Sequence, residues 1–254
     1  MSERFFLATP PSGGRAVLAG DEARHVSRVL RAQVGDEVVL FDGKGNQWPA
    51  RVAAIGRDRV ELDADEPRAA VPALEPRLTL AVALPKGERQ KWMVEKLTEL
   101  GVHRLVPLET VRGVAEATLA AQTRLERVVI EACKQCGRNT LMEIGTGRTL
   151  AHLLTNLPHG AHIVIAHPGG MPLDAALVQA AATEVIALVG PEGGFTFEEL
   201  AAAECAGVIR VSLGPHILRV ETAAIALAAR LVSSTLCVPP VASAFAVLVP
   251  FSRG

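Results

Sequence analysis

Two turns near the C-terminus do most to limit the folds open to this chain. The first reads Leu188-Val189-Gly190-Pro191-Glu192-Gly193-Gly194-Phe195. The second reads Ser212-Leu213-Gly214-Pro215-His216-Ile217-Leu218-Arg219-Val220-Glu221-Thr222-Ala223. Each follows an apolar, β-branched run and opens an amphipathic helical pattern. Strands that are apolar throughout are buried on both faces, the condition of a parallel sheet covered by helices. Two strand-to-helix turns this close together build one ligand site from backbone groups at the C-terminal edge of the sheet. Neither has the G-x-G-x-x-G spacing of a dinucleotide fold or the Lys-Ser/Thr of a phosphate loop. Clustered glycine lets the backbone approach a ligand closely, and proline holds the turn rigid. A tight connection capped by Thr196 accounts for the first turn alone; the second turn favours a ligand site.

The same alternation runs through the C-terminal two thirds. Strands are expected over 78–84, 104–108, 162–166, 185–189 and 208–213, and helices over 88–100, 123–135, 174–182, 197–205 and 219–236. The first 70 residues differ. Short strands over 37–41, 48–52 and 59–62, separated by Asp42-Gly43-Lys44-Gly45 and Gly56-Arg57-Asp58, suggest a small β-barrel. A helix over 21–31 precedes them, with Asp21 as N-cap and Arg24, Arg28 and Arg31 along one face. Three prolines between 67 and 76 mark an extended linker. The expected division is residues 1–71 and 72–254.

Hydrophobic residues make up 49% of the 254, enough for a sizeable core. No apolar run approaches the ~20 residues of a membrane span, and no leader is legible at the N-terminus, so a cytoplasmic protein is expected. A net charge of −1 argues against a generic polyanion binder. Basic residues nevertheless outnumber acidic ones between Arg77 and Arg138, which allows a local basic face. Cys133 and Cys136 form a C-x-x-C without two further ligands at zinc spacing, inside a helical pattern; helix packing is the expectation and no metal is required.

Beside the glycine turns, Arg219 and Glu221 have two readings. Either Glu221 favours a helix N-terminus while Arg219 makes a surface ion pair, or both face the ligand. Arg24, His25, Arg28 and Arg31 either form a solvated face or track a phosphate backbone, and Lys86, with Arg89 and Lys91, would extend that surface. Lys134, Gln135 and Arg138 end a helix, where cations suit the macrodipole.

Taken in order, His25-Val26-Ser27-Arg28-Val29-Leu30-Arg31, Phe41-Asp42-Gly43-Lys44-Gly45, Pro85-Lys86-Gly87-Glu88, Glu95-Lys96-Leu97-Thr98-Glu99-Leu100-Gly101-Val102 and Glu131-Ala132-Cys133-Lys134-Gln135-Cys136-Gly137-Arg138 join the two turns in a pattern that resembles the RsmE-type 16S rRNA (uracil N3)-methyltransferases. The resemblance spans roughly residues 4–235. It implies an α/β SPOUT domain with a trefoil knot at about 185–235, preceded by a PUA-like RNA-binding barrel, and a homodimer with active sites at the interface. It implies S-adenosylmethionine held by Leu188, Gly190, Pro191, Glu192, Gly193, Gly194, Leu213, Gly214, Ile217 and Leu218, with His167 as a further contact. It implies methylation of N3 of U1498 of 16S rRNA in the 30S subunit or its late precursor. The expected base is Glu221, then Glu192, with Arg219 stabilising charge on the uracil oxygens. The expected RNA contacts are Arg4, Arg24, His25, Arg28, Arg31, Lys86, Lys134 and Arg138. A knotted methyltransferase with another target nucleoside, or a non-catalytic RNA-binding assembly factor, are the alternatives. The chain departs from the family at Leu141-Met142-Glu143-Ile144, where proline is usual, and in its apolar tail after Cys237.

Overall fold

Alternation of buried and exposed residues shapes most of the N-terminal sheet. The structure, a computed structural model, describes residues 3–68, 76–113, 118–177 and 184–236. Strands β1 (Glu3–Phe6), β2 (Arg15–Ala19), β3 (Glu37–Phe41), β4 (Gln47–Ile55) and β5 (Arg59–Ala64) form a five-stranded sheet in the order β1-β3-β4-β5-β2. Only β1 and β3 pair in parallel; the other neighbours are antiparallel. Leu18, Val38, Leu40, Trp48, Ala50, Val52, Val60 and Leu62 point to one side and bury each other there. A register shift between Val52 and Ala54 bends β4, and the sheet curls into a half-barrel.

The helix expected over 21–31 is shorter and wider than its arginine spacing suggested. Helix α1 spans Gly20–Arg24 and continues as a π-helical turn over His25–Val29. Asp21 is not its N-cap: Ala19 holds that position without a side-chain bond, and Asp21 pairs with Arg24 at 2.6 Å. The Leu30 N–H reaches five residues back to the His25 carbonyl. Arg31 lies past the helix end with φ +51°, in the left-handed region. The shared face therefore breaks at Arg31, because a π turn changes the angular step that the i, i+4, i+7 argument assumes.

The second half is a parallel sheet with helices on both faces. Its elements are β6 (Arg77–Val82), α2 (Glu88–Glu99), β7 (Arg104–Glu109), α3 (Leu119–Cys136), β8 (Glu143–Ile144), β9 (Arg148–Thr149), α4 (Leu150–Thr155), β10 (His162–Pro172), α5 (Leu173–Leu177), β11 (Glu184–Val189), α6 (Phe197–Cys205), β12 (Ile209–Ser212) and α7 (Val220–Leu236). The strand order is β12-β10-β11-β6-β7-β8, with β9 also on β7, and every pair is parallel. Leu80, Val82, Val164, Ala187, Val189 and Val211 face α2, α3 and α7 through Met93, Leu97, Leu125, Val129, Leu227 and Leu231. Ala81, Val106, Ile163, Ile165, Ile186 and Leu188 face Leu150, Phe195 and Ala203 on the opposite side. Apolar residues on both sides of β6, β7, β10 and β11 are what the continuous runs of the sequence required.

Helix ends follow their caps. Thr196 and Glu199 form a complete capping box at α6. Thr118 caps α3, which starts four residues before the expected 123, and Gly137 closes it with φ +81°. Cys133 lies in the core with its thiol pushed up to about 12 by burial, as helix packing of the C-x-x-C implied. The 71/72 boundary, part of the linker, residues 178–182 of an expected helix and the apolar tail after Cys237 lie outside the described residues.

The two sheets are docked by polar contacts. Gly45 N–H donates to the Asn139 carbonyl at 3.1 Å and Leu141 N–H to Gly43 at 2.9 Å. The Arg4 guanidinium bonds Gln47 and Asn139 and lies 5.1 Å over the Phe41 ring. Phe41, although it ends β3, belongs to the core of the parallel domain. Among the described residues, no helix is long and apolar enough to cross a membrane.

Candidate active site

The C-terminal ends of β10, β11 and β12 meet in a cleft of about 390 Å³, within the size range of small-molecule sites. Three backbone segments build it. Gly190-Pro191-Glu192-Gly193-Gly194 follows β11, and Gly194 N–H donates to the Pro191 carbonyl at 2.8 Å. Ser212-Leu213-Gly214 follows β12, with Gly214 at φ +135° and its N–H on the Ser212 hydroxyl at 3.3 Å. The third segment was expected only through His167, which the resemblance gave as a further contact. Ala166 and Met171 of β10 both pair with Val211, so residues 167–170 loop out and bring His167 and Pro168 to the cleft. His167 Nδ1 accepts from Gly169 N–H at 3.1 Å, which fixes the ring.

Two glycines are required by close approach. A Cβ at Gly190 would stand 2.7 Å from the Phe195 ring. One at Gly170 would stand 2.5 Å from the Val211 nitrogen. The remaining walls are Val189, Leu213, Ile217, Leu218, Val220 and Ala223. Apolar walls with converging backbone groups suit a flat heterocycle, while Arg112 and Glu192 suit a zwitterionic head.

Of the expected cofactor residues, His167, Gly190, Pro191, Glu192, Gly193, Gly194, Leu213, Gly214, Ile217 and Leu218 all line the cleft. Leu188 does not; its side chain is fully buried in the core beneath α6.

The candidate acids sit beside one cation. Glu221 opens α7, where the macrodipole favours negative charge. Its side chain is only 6% exposed, and its Oε2 is buried without a hydrogen-bond partner. Arg89 Nη1 on α2 stands 3.8 Å from Glu221 Oε1 and 3.6 Å from Glu192 Oε1. These are ion pairs rather than hydrogen bonds. Glu192 lines the cleft and is half exposed; Glu221 stands behind the lining. Arg219 is exposed just before α7. A buried carboxylate oxygen without a donor is costly, and it marks a place where a donor is expected to arrive.

Sequence reasoning placed Arg89 on a basic surface and passed over Arg112. The signal for Arg89 was its position in the first turn of a helix, where a cation is disfavoured unless an anion faces it. Arg112, in the loop after β7, carried no local signal. Its Nη1 donates to the Gly193 carbonyl at 2.7 Å, and Glu199 Oε1 accepts from Val111 N–H at 3.0 Å. These bonds tie the β7–α3 loop to the first glycine turn.

The expected RNA residues divide in two. Arg28, Arg31 and Lys86 are exposed, and Arg24 is exposed while paired with Asp21. His25 packs edge-on against Phe5 at 6.1 Å. Arg4, Lys134 and Arg138 are half-buried and make contacts within the chain. Lys134 is 11% exposed and bridges Glu22 of the half-barrel and Glu131. Arg138 donates to the Thr98 carbonyl at 3.0 Å, and burial lowers its pKa. Among the described residues no group of three or more His, Cys, Asp or Glu could hold a metal ion.

Known proteins share this architecture. Residues 73–232 match the RNA methyltransferase domain family, and residues 18–65 match the RNA methyltransferase PUA domain. The chain is 32% identical over 229 residues to ribosomal RNA small subunit methyltransferase E of Mycobacterium tuberculosis, covering 87% of each chain. It is 26% identical over 217 residues to the protein of that name from Bacillus subtilis, covering 81% of this chain and 85% of that one. Among solved structures, ribosomal RNA small subunit methyltransferase E from Neisseria gonorrhoeae bound to S-adenosyl methionine superposes with a TM-score of 0.85 at 29% identity, covering 92% of this chain and 98% of that one. A methyltransferase from Legionella pneumophila in complex with the same cofactor gives 0.84 at 28% identity, with the same coverage.

Proposed function

The chain belongs to the ribosomal RNA small subunit methyltransferase E family of RNA methyltransferases, and we propose that it methylates N3 of a single uridine, U1498, of 16S rRNA in the 30S subunit or its late precursor. S-adenosylmethionine is the proposed cofactor and supplies an electrophilic methyl group when bound. The observation that carries the reading is the convergence of two glycine turns and the β10 loop on one cleft, with Arg89, Glu192 and Glu221 at its side. His167 and the backbone of residues 190–194 and 212–214 hold the cofactor, and Ile217, Leu218 and Val220 exclude water from it.

Uracil N3 carries a proton and is a poor nucleophile until it leaves. The unpaired Oε2 of Glu221 accepts that proton in this reading, with the Arg89 guanidinium 3.8 Å from its Oε1. Glu192 is the alternative acceptor, favoured by its place in the cleft lining. Arg219 stabilises negative charge on the uracil oxygens. Arg24, Arg28, Arg31 and Lys86 hold RNA phosphates in the same reading. The chain is proposed to act in the cytoplasm as a homodimer, its C-terminal segment knotted, with a second copy covering Ile217, a cleft residue left 89% exposed, and Trp92. Sedimentation velocity on the native protein tests the dimer, which a monomeric species at micromolar concentration would exclude.

The function is tested by incubating the protein with methyl-labelled S-adenosylmethionine and 30S subunits lacking rRNA methylation, then identifying the labelled nucleoside by mass spectrometry. N3-methyluridine at one site is expected. A different labelled nucleoside would remove the target and keep the methyltransferase.

A further inference from the structure

We propose that Arg112 recognises the amino-acid carboxylate of the bound cofactor, while its bond to Gly193 pre-sets the guanidinium for that task. The inference rests on the cofactor reading above. Among the described residues that line the cleft, Arg112 is the one Arg or Lys and Glu192 the one carboxylate; Arg89 and Arg219 stand outside the lining. S-adenosylmethionine brings a sulfonium, an ammonium and a carboxylate into that space. A carboxylate taken out of water requires a partner, and the planar guanidinium fork is the side chain best matched to it. Arg112 is also held in place before any ligand arrives. Its Nη1 donates to the Gly193 carbonyl at 2.7 Å, and its stem lies so close to Gly193 that a Cβ there would meet Cδ at 3.3 Å. A guanidinium has five N–H donors, so one bond to a carbonyl leaves a second edge for the ligand. A neutral donor would suffice to hold Gly193, and the acid that feels the Arg112 charge, Glu198, lies outside the cleft lining; a permanent cation on the cleft wall itself suits an anionic ligand group. Val111, tied to Glu199 at 3.0 Å, fixes the backbone beneath it.

The test is calorimetric and needs no turnover. The wild-type protein, R112K and R112Q are titrated with S-adenosylhomocysteine and with 5′-methylthioadenosine, which keeps the nucleoside and lacks the amino acid. Loss of one charge-assisted bidentate contact weakens binding on the order of ten-fold or more. R112Q is therefore expected to lose that factor for S-adenosylhomocysteine and to bind methylthioadenosine as the wild type does. R112K is expected to fall between them, since lysine keeps the charge and loses the fork. Equal weakening toward both ligands would show that Arg112 only holds the loop and would overturn the proposal. Unchanged affinity for both would overturn it as well, whether or not the residue touches RNA. A wild-type protein that binds neither compound would bring down the cofactor reading itself, and this proposal with it.

Discussion

Gly170 gives the sharpest test of how the cleft is built. Its φ is outside the left-handed region, so an alanine there carries no backbone penalty and the whole effect is steric. The added Cβ would lie 2.5 Å from the Val211 nitrogen, 2.6 Å from the Arg210 carbonyl carbon and 2.6 Å from the Val211 carbonyl carbon. All three are backbone atoms of β12, paired to β10, and cannot swing aside as a side-chain tip does. Overpacking a close-packed interior costs about 1–3 kcal/mol, and a collision with three backbone atoms belongs at the upper end. For a chain of this size ~3 kcal/mol lowers the melting temperature by roughly 6–12 °C. Because β10 and β12 carry two of the three cleft segments, Gly170→Ala should also weaken S-adenosylhomocysteine binding. Gly169→Ala is the control: its Cβ would meet only the His167 ring, at 3.4 Å. Calorimetric melting and titration of both variants read the result. If Gly170→Ala melts within about 1 °C of Gly169→Ala and binds equally well, the close approach of β10 to β12 is not what shapes the cleft.

Other expectations follow from single residues. Glu221→Gln keeps the shape of the buried side chain and removes its charge, so kcat should fall ~10²–10⁴-fold with cofactor affinity unchanged; if Glu192→Gln shows that loss and Glu221→Gln does not, the roles are exchanged. Cys133 should stay unmodified when the native protein meets an alkylating reagent near neutral pH, because burial holds its thiol at about 12; peptide mapping that finds it labelled as fast as the exposed Cys136 would contradict its burial. Burial lowers the pKa of both His103 and His162 below the ordinary 6.5. Below that pH the unfolded chain takes up protons that the folded chain refuses, so stability should be full above 6.5 and fall as the pH drops below it. His162→Gln should flatten the fall in urea titrations between neutral and mildly acidic pH, and an unchanged slope would remove His162 from the account.

The legible parts of this protein are those set by neighbours in sequence. The boundaries of α6 appeared in the sequence as Thr196 and the following periodic run, and the strands around it as apolar, β-branched residues. Strand β3 was read at its observed limits because Val38 and Leu40 alternate with exposed or half-buried positions between clear turns. The two-residue strands β8 and β9 and the short helix α4 were missed, since segments so brief carry no period. The half-barrel helix misled for a different reason. Its π turn, with Val26 buried in the core, breaks the step of the helix, and a spacing argument that assumes about 3.6 residues per turn cannot detect it.

The division at the site follows the same physics. Sequence alone determined that two rigid glycine turns would end two parallel strands, because backbone freedom and continuous apolarity are local properties of the chain; that β10 lies between those strands is tertiary. Tertiary structure decided that the β10 loop would join them, that Arg112 would reach Gly193 from 81 residues away, and that Arg89 would stand between Glu192 and Glu221. It also decided that Lys134 would bridge Glu22 and Glu131 and that Arg138 would reach the Thr98 carbonyl. A charge shows its chemical type in the sequence; its partner depends on which elements the sheet brings side by side.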